Sequence, residues 1–94
     1  MARPVATIDM GNITRVVPVD LTAGDFTDNN GFFIRVETEG VLQYVPMGNE
    51  DNEPITKTWA ASNIFIDPER IRKIINLGTV SPPQASGIYV GYGV

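Results

Sequence analysis

Turn-forming residues recur so often in this sequence that they leave no room for long helices. They stand at Gly11-Asn12, Asp20 to Gly24, Asp28 to Gly31, Glu39-Gly40, Gly48 to Pro54, Asp67-Pro68, Gly78 and Ser81 to Gly87. The runs between them are about five to eight residues long, a length typical of strands. They are rich in Val, Ile, Thr, Phe and Tyr. This spacing predicts an all-β fold, a small antiparallel β-sandwich or barrel of about seven or eight short strands. With 94 residues and no composition shift along the chain, a single domain over 1–94 is expected.

The clearest pair of runs is Phe32 to Thr38 and Val41 to Met47. Alternation puts Phe32, Ile34 and Val36 on the core face and Phe33, Arg35 and Glu37 on the other. Glu39-Gly40 has the chemistry of a tight hairpin between the two runs. In the second run Leu42 and Tyr44 share a face. Val41 and Val45 make the opposite face partly apolar as well, so this strand is expected to be covered on both sides. Pro46 should end the ladder, because it has no N–H to donate. Further strands are expected at Val5 to Met10, Thr14 to Val19, Ile55 to Ala60, Asn63 to Ile66 and Gly87 to Tyr92. In the last run Ile88, Val90 and Tyr92 face one way. Tyr89 and two glycines face the other, where a ring or backbone can approach closely.

The stretch 68–77 reads two ways. Asp67 as N-cap, Pro68 at the first helical position and Glu69 in the first turn are helix-start chemistry. Ile71, Ile74 and Ile75 then share a helical face, with Gly78 as a stop. Local rules therefore favour a short helix there.

Composition removes most catalytic chemistry. The chain has no cysteine and no histidine, so disulfides, thiolate metal sites, a Cys nucleophile and the commonest general base are all lacking. Seven basic against eleven acidic residues give a net charge of -4, which argues against a nucleic-acid partner. No segment is long enough to span a bilayer, and the N-terminal stretch lacks the apolar core of a signal peptide. Asn12-Ile13-Thr14 fits the glycosylation pattern but is read as chance without a secretion signal.

Individual motifs also fall short. Asp25, Asp28 and their neighbours invite a calcium loop, but the sixth position is Asn30 where glycine is needed and the twelfth is Val36 where glutamate is needed. Glu50, Asp51 and Glu53 read as a solvated loop or a rim for a basic partner. Gly91-Tyr92-Gly93 is not followed by a helix, as a dinucleotide fingerprint requires. Ser62, Ser81 and Ser86 have no histidine to activate them. The expectation is no enzyme, no cofactor and no metal.

One order of motifs carries a resemblance. Gly31-Phe32-Phe33-Ile34-Arg35-Val36 is followed by Gly40-Val41-Leu42 and by Pro68-Glu69-Arg70-Ile71-Arg72-Lys73-Ile74. Gly78-Thr79 and Ser86-Gly87-Ile88-Tyr89-Val90-Gly91-Tyr92 complete it. This order resembles the spike-base or head-fibre-base family of small virion proteins in tailed phages and gene transfer agents. It covers roughly the last two-thirds of the chain. Ser81-Pro82-Pro83-Gln84 and Gly48 to Glu53 are additions to the family pattern. The resemblance implies a strand, not a helix, over Arg70 to Leu77. It also implies a structural role in a virion made in the host cytoplasm. The partners would be other phage structural proteins, capsid or fibre, and further copies of the chain in a homo-oligomer.

The expected function is therefore capsid decoration or a spike or fibre base acting through protein–protein contacts. The alternative is a stand-alone module that binds carbohydrate or peptide, with Trp59 and Tyr44 as an aromatic platform. The residues expected at a protein interface are Phe33, Arg35, Glu37, Trp59 and Tyr89, since aromatic and Arg side chains concentrate there. Phe33→Asp separates two cases. Assembly lost with the fold intact means that a partner covers Phe33; loss of the circular-dichroism signal of the folded state means that its own chain does.

Overall fold

The computed structural model describes residues 13–65, 67 and 69–93. The fold is all-β and antiparallel. The strands are β1 (Ile13–Val19), β2 (Phe26–Thr38), β3 (Gly40–Pro46), β4 (Ile55–Trp59), β5 (Ile71–Ile75) and β6 (Ser86–Gly93). These six strands form one sheet in the order β1-β6-β2-β5-β3-β4. A short 3-10 turn over Leu21–Ala23 joins β1 to β2, with the Asp20 carboxylate accepting the Thr22 N–H. The Val5 to Met10 expectation lies outside the described residues. The expected strand at Asn63 to Ile66 is absent over 63–65, which are bends and irregular chain.

β2 organises the sheet. Phe26, Thr27 and Phe32 pair with β5, while Phe33 to Thr38 run alongside β6, from Gly91 to Ser86. Between the two β5 contacts, Asp28, Asn29, Asn30 and Gly31 stand opposite Arg72 alone. The expected turn at 28–31 is therefore a bulge within one continuous strand. Asp28 Oδ1 accepts the Asn30 N–H at 3.0 Å, and Gly31 takes a φ of 88° that other residues resist.

The strand that the resemblance implies over Arg70 to Leu77 is present at Ile71–Ile75, and the short helix that local rules favour over 68–77 does not form over its described residues. Over its described residues this stretch leads into β5, which lies between β2 and β3. The cap chemistry is real: Asp67 Oδ1 accepts the Glu69 N–H at 3.0 Å, but the turn it makes leads into a strand. The helical spacing of Ile71 and Ile74 has a different cause. The β3 register slips between Val45, opposite Lys73, and Pro46, opposite Ile71. One extra residue restores parity, so both isoleucines are buried in the core although they are three apart. Pairing on both sides outweighs the local helix signal.

The hairpin expected at Glu39-Gly40 is also corrected. β2 and β3 are not neighbours, because β5 separates them. Gly40 sits at a corner where Val41 N–H donates to Pro83 O at 3.0 Å and Ala85 N–H donates to Val41 O at 2.9 Å. The glycine is needed for closeness rather than for its φ.

Alternation on the core face is as expected. Phe32, Ile34 and Val36 meet Leu42, Tyr44, Ile88 and Val90 in one cluster with Ile71, Ile74 and Trp59. Each such side chain stabilises the fold by roughly 1.5–3 kcal/mol through burial. Val45 is buried on the opposite face of β3, as the two-sided reading of that strand requires. On β6 the Phe65 ring lies over Gly91, where a Cβ would come within 2.9 Å of its Cζ.

A Cβ on Gly40 would clash with the Ala85 amide nitrogen and lie 2.7 Å from its Cα. Gly40→Ala is expected to cost about 1–3 kcal/mol through overpacking. The effect should appear as a lower urea midpoint at unchanged slope.

Candidate functional site

Three of the five expected interface residues come together on the outer face of β2 and β6. Arg35 pairs directly opposite Tyr89. Its guanidinium lies 4.3 Å from the Tyr89 ring centroid and 5.5 Å from that of Phe65. Glu37 Oε2 is 3.9 Å from Arg35 Nη1, and Glu37 is exposed, so this ion pair is weak.

The other two residues are placed differently. Phe33 is 7% exposed, and the Arg70 guanidinium of the same chain lies 5.1 Å from its ring centroid. Its own chain covers it, so Phe33→Asp is expected to lose the fold. Trp59 is 6% exposed and meets Tyr44 edge-on, with ring centroids 5.8 Å apart. The aromatic pair named for a carbohydrate platform thus exists, but both rings face the core and neither presents a flat surface.

Beside Trp59 lies a polar network that sequence reasoning missed. Lys57 Nζ is 2.6 Å from Asp67 Oδ2, 3.8 Å from Glu69 Oε1 and 4.4 Å from the Trp59 ring centroid. The Tyr44 hydroxyl donates to Glu69 Oε1 at 2.8 Å. Burial, and then the bond to Glu69 and its charge, push the Tyr44 hydroxyl well above its ordinary pKa. Tyr92 is raised too, first by burial and then by Asp28. Alternation on β4 could have paired Lys57 with Trp59, but nothing local links Lys57 to an aspartate ten residues on.

Between β4, β2 and residues 60–64 and Asp67 lies a cavity of about 140 Å³. Ile34, Arg35, Lys57, Trp59, Ile64 and Asp67 are among its walls. Ser62 N–H donates to Val36 O at 2.9 Å and ties the segment to β2. Trp59 Nε1 and Arg35 Nη1 are buried and have no hydrogen-bond partner among the described residues. Both are donors.

β4 is also an edge strand among the described residues, paired with β3 only. Val41 directs its N–H and C=O toward Pro83 and Ala85, away from β4. By alternation, Leu42 and Tyr44 bond to β4, and they face Lys57 and Ile55. Thr56 and Thr58 therefore direct their backbone groups outward. The nearby side chains of Ile55 and Ile64 are exposed.

Two further acidic groups are held within the fold. Asp51 pairs with Arg72 at 2.7 Å, which lowers its pKa, and Asp25 accepts the Asn76 N–H at 2.8 Å. Among the described residues no helix is long and apolar enough to cross a membrane. Among the described residues the arrangement offers binding: an open strand edge with a small cavity at one end of it. No family model, curated protein or solved structure matches this chain.

The Tyr44 hydroxyl yields a pH prediction. Its folded pKa lies above the unfolded value of about 10, so the associated stability is complete below about pH 10 and is lost as pH rises through the folded pKa. Tyr44→Phe is expected to cost about 1–2 kcal/mol at neutral pH. It should also flatten part of the alkaline decline, Tyr92 keeping the rest. Urea melts of both proteins from neutral to alkaline pH measure the two effects together.

Proposed function

We propose that this chain is a structural assembly protein that acts by joining other protein chains, as a capsid decoration or a spike or fibre base of a tailed-phage particle. The observation that supports joining is the edge of β4, open among the described residues. Thr56 and Thr58 turn unpaired backbone donors and acceptors outward, and Ile55 and Ile64 add exposed apolar surface beside them. A sheet edge of this kind accepts a further strand. The threonines and the single Lys57 give β4 little of the charge that blocks such pairing. The motif order that resembles spike-base and head-fibre-base proteins supports the placement in a virion. The same edge in a cyclic or two-fold assembly would give a closed oligomer.

Thr58→Pro tests the edge. Its N–H points away from β3, so removing it leaves the internal ladder intact while blocking an added strand. Light scattering on a sizing column should find the wild-type protein in a closed oligomer, or in a complex with capsid protein when the two are mixed. The variant should be monomeric, with a melting temperature within a few degrees of wild type. A wild-type protein that stays monomeric at all concentrations and forms no capsid complex would remove the proposal.

A further inference from the structure

We propose that the strand added to β4 is β4 of a second copy, paired antiparallel about a two-fold axis at Lys57. The inference rests on the assembly reading and names the partner within it.

The two edges of the sheet differ in chemistry. Among the described residues they are β1 and β4. On β1, Pro18 stands opposite Tyr89 of β6. Proline has no N–H, so this is not a hydrogen-bonded pair. The β2 side of β6 gives the same parity. Val36 O accepts the Ser62 N–H at 2.9 Å, which turns the Val36 backbone away from β6. Arg35 therefore bonds to Tyr89, while Ile88 and Val90 bond to Val19 and Val17 of β1. Pro18 is left with its ring nitrogen on the outer side of β1. There it offers no donor, and its ring crowds an approaching strand. On β4 the outward residues are Thr56 and Thr58, each with an N–H and a C=O. A head-to-tail fibre needs both edges, β4 of one copy against β1 of the next. With β1 blunted, the arrangement that remains between copies is the isologous one, in which β4 serves both.

β4 is complementary to itself in one register. Outward residues must meet outward residues for bonds to form. With Thr56 opposite Thr58 of the second copy, both threonines of each strand exchange their N–H and C=O groups. Sliding one way brings Pro54, which has no N–H, opposite Thr58. Sliding the other way carries Thr56 past the end of β4 at Trp59. The side chains fit the same register. Ile55, which is 40% exposed, falls opposite Trp59 of the second copy and forms an aliphatic–aromatic pair. Lys57 falls opposite Lys57. Each ammonium brings its own carboxylates, Asp67 at 2.6 Å and Glu69 at 3.8 Å, so the clusters that meet at the axis each contain both signs of charge.

The chain has no cysteine, so introduced ones report the register without background. In the proposed pair, Thr56 and Thr58 of the two copies have Cα atoms about 5.5 Å apart, within disulfide reach. Thr56 and Thr56 of the two copies are diagonal neighbours about 7–8 Å apart, beyond it. Both side chains are exposed, so Thr56→Cys and Thr58→Cys should fold as the wild type does. Each full-length variant alone should stay a single chain on a nonreducing gel after mild oxidation. Their equimolar mixture should give a covalent dimer, with the disulfide mapped by mass spectrometry to positions 56 and 58. Light scattering that finds a wild-type oligomer, together with no cross-link in the mixture or equal cross-linking in the single variants, overturns the two-fold pairing and leaves the assembly reading standing. So does a complex with capsid protein by a chain that does not associate with itself. A wild-type chain that is monomeric at all concentrations and forms no capsid complex removes both.

Discussion

β2 bonds to β5 with its first half and to β6 with its second, and every other strand takes its position from that change of partner. Phe32 is the last residue opposite β5 and Phe33 the first opposite β6. The change follows directly on the surplus at Asp28 to Gly31, four residues facing Arg72 alone. A bulge bends its strand and raises the local twist. Here it lets a single strand serve two ladders whose side chains meet in one core. The same bend brings the end of the sheet round to the corner at Gly40, where the chain passes against the Ala85 backbone with no space for a side chain.

Long charged side chains complete what so short a chain cannot cover with apolar residues. Arg70 lies over Phe33 on the outer face, and its stem occupies the space above Gly31, where a Cβ would lie 2.9 Å from its Cγ. It therefore fixes the bulge to the entry of β5. Arg35 covers Tyr89 and Phe65 in the same manner. Such contacts are worth about 0.5–1 kcal/mol at exposed sites, but the stem also shields ring surface from water. Phe65 in turn fills the space that Gly91 leaves open. The outer face is thus a layer of alternating cations and rings.

What the sequence makes legible is local, and what it hides is pairing at a distance. Alternation put Phe32, Ile34 and Val36 on the core face and grouped Leu42 with Tyr44 and Ile88 with Val90, because the period of a strand fixes which side chains share a face whatever its partner. The glycine face of β6 implied a backbone or a ring close above it, and at Gly91 it is the Phe65 ring. The polar cluster at 28–31 and the cap at Asp67 were also real chemistry, but the same short hydrogen bonds serve a bulge or a strand entry as well as a turn or a helix. Ile71 and Ile74 carry a helical spacing because one extra residue lies between them in a strand. Only the neighbours on either side, β2 and β3, decide that. At the candidate site, parity placed Arg35 and Glu37 together, whereas the meeting of Lys57 with Asp67 depends on how the chain over 60–65 returns past β2, where Ser62 bonds to Val36.

That return also explains why the end of β4 differs from the rest of the molecule. Elsewhere the core is apolar, and no polar or charged residue among those described is fully buried. The Tyr44 hydroxyl at the margin of the core is met by Glu69, and the partly exposed Lys57 ammonium beside it by Asp67. Against this background the unpartnered Trp59 Nε1 and Arg35 Nη1 stand out. Each buried donor left unmet costs about 1–3 kcal/mol, in a domain whose whole stability is of order 5–15 kcal/mol. A phenylalanine at 59 would fill much of the same space without the unmet N–H, so packing alone does not call for an indole there. Trp59 closes the strand whose backbone faces outward, so the unmet indole and the edge left open among the described residues occupy one end of the fold.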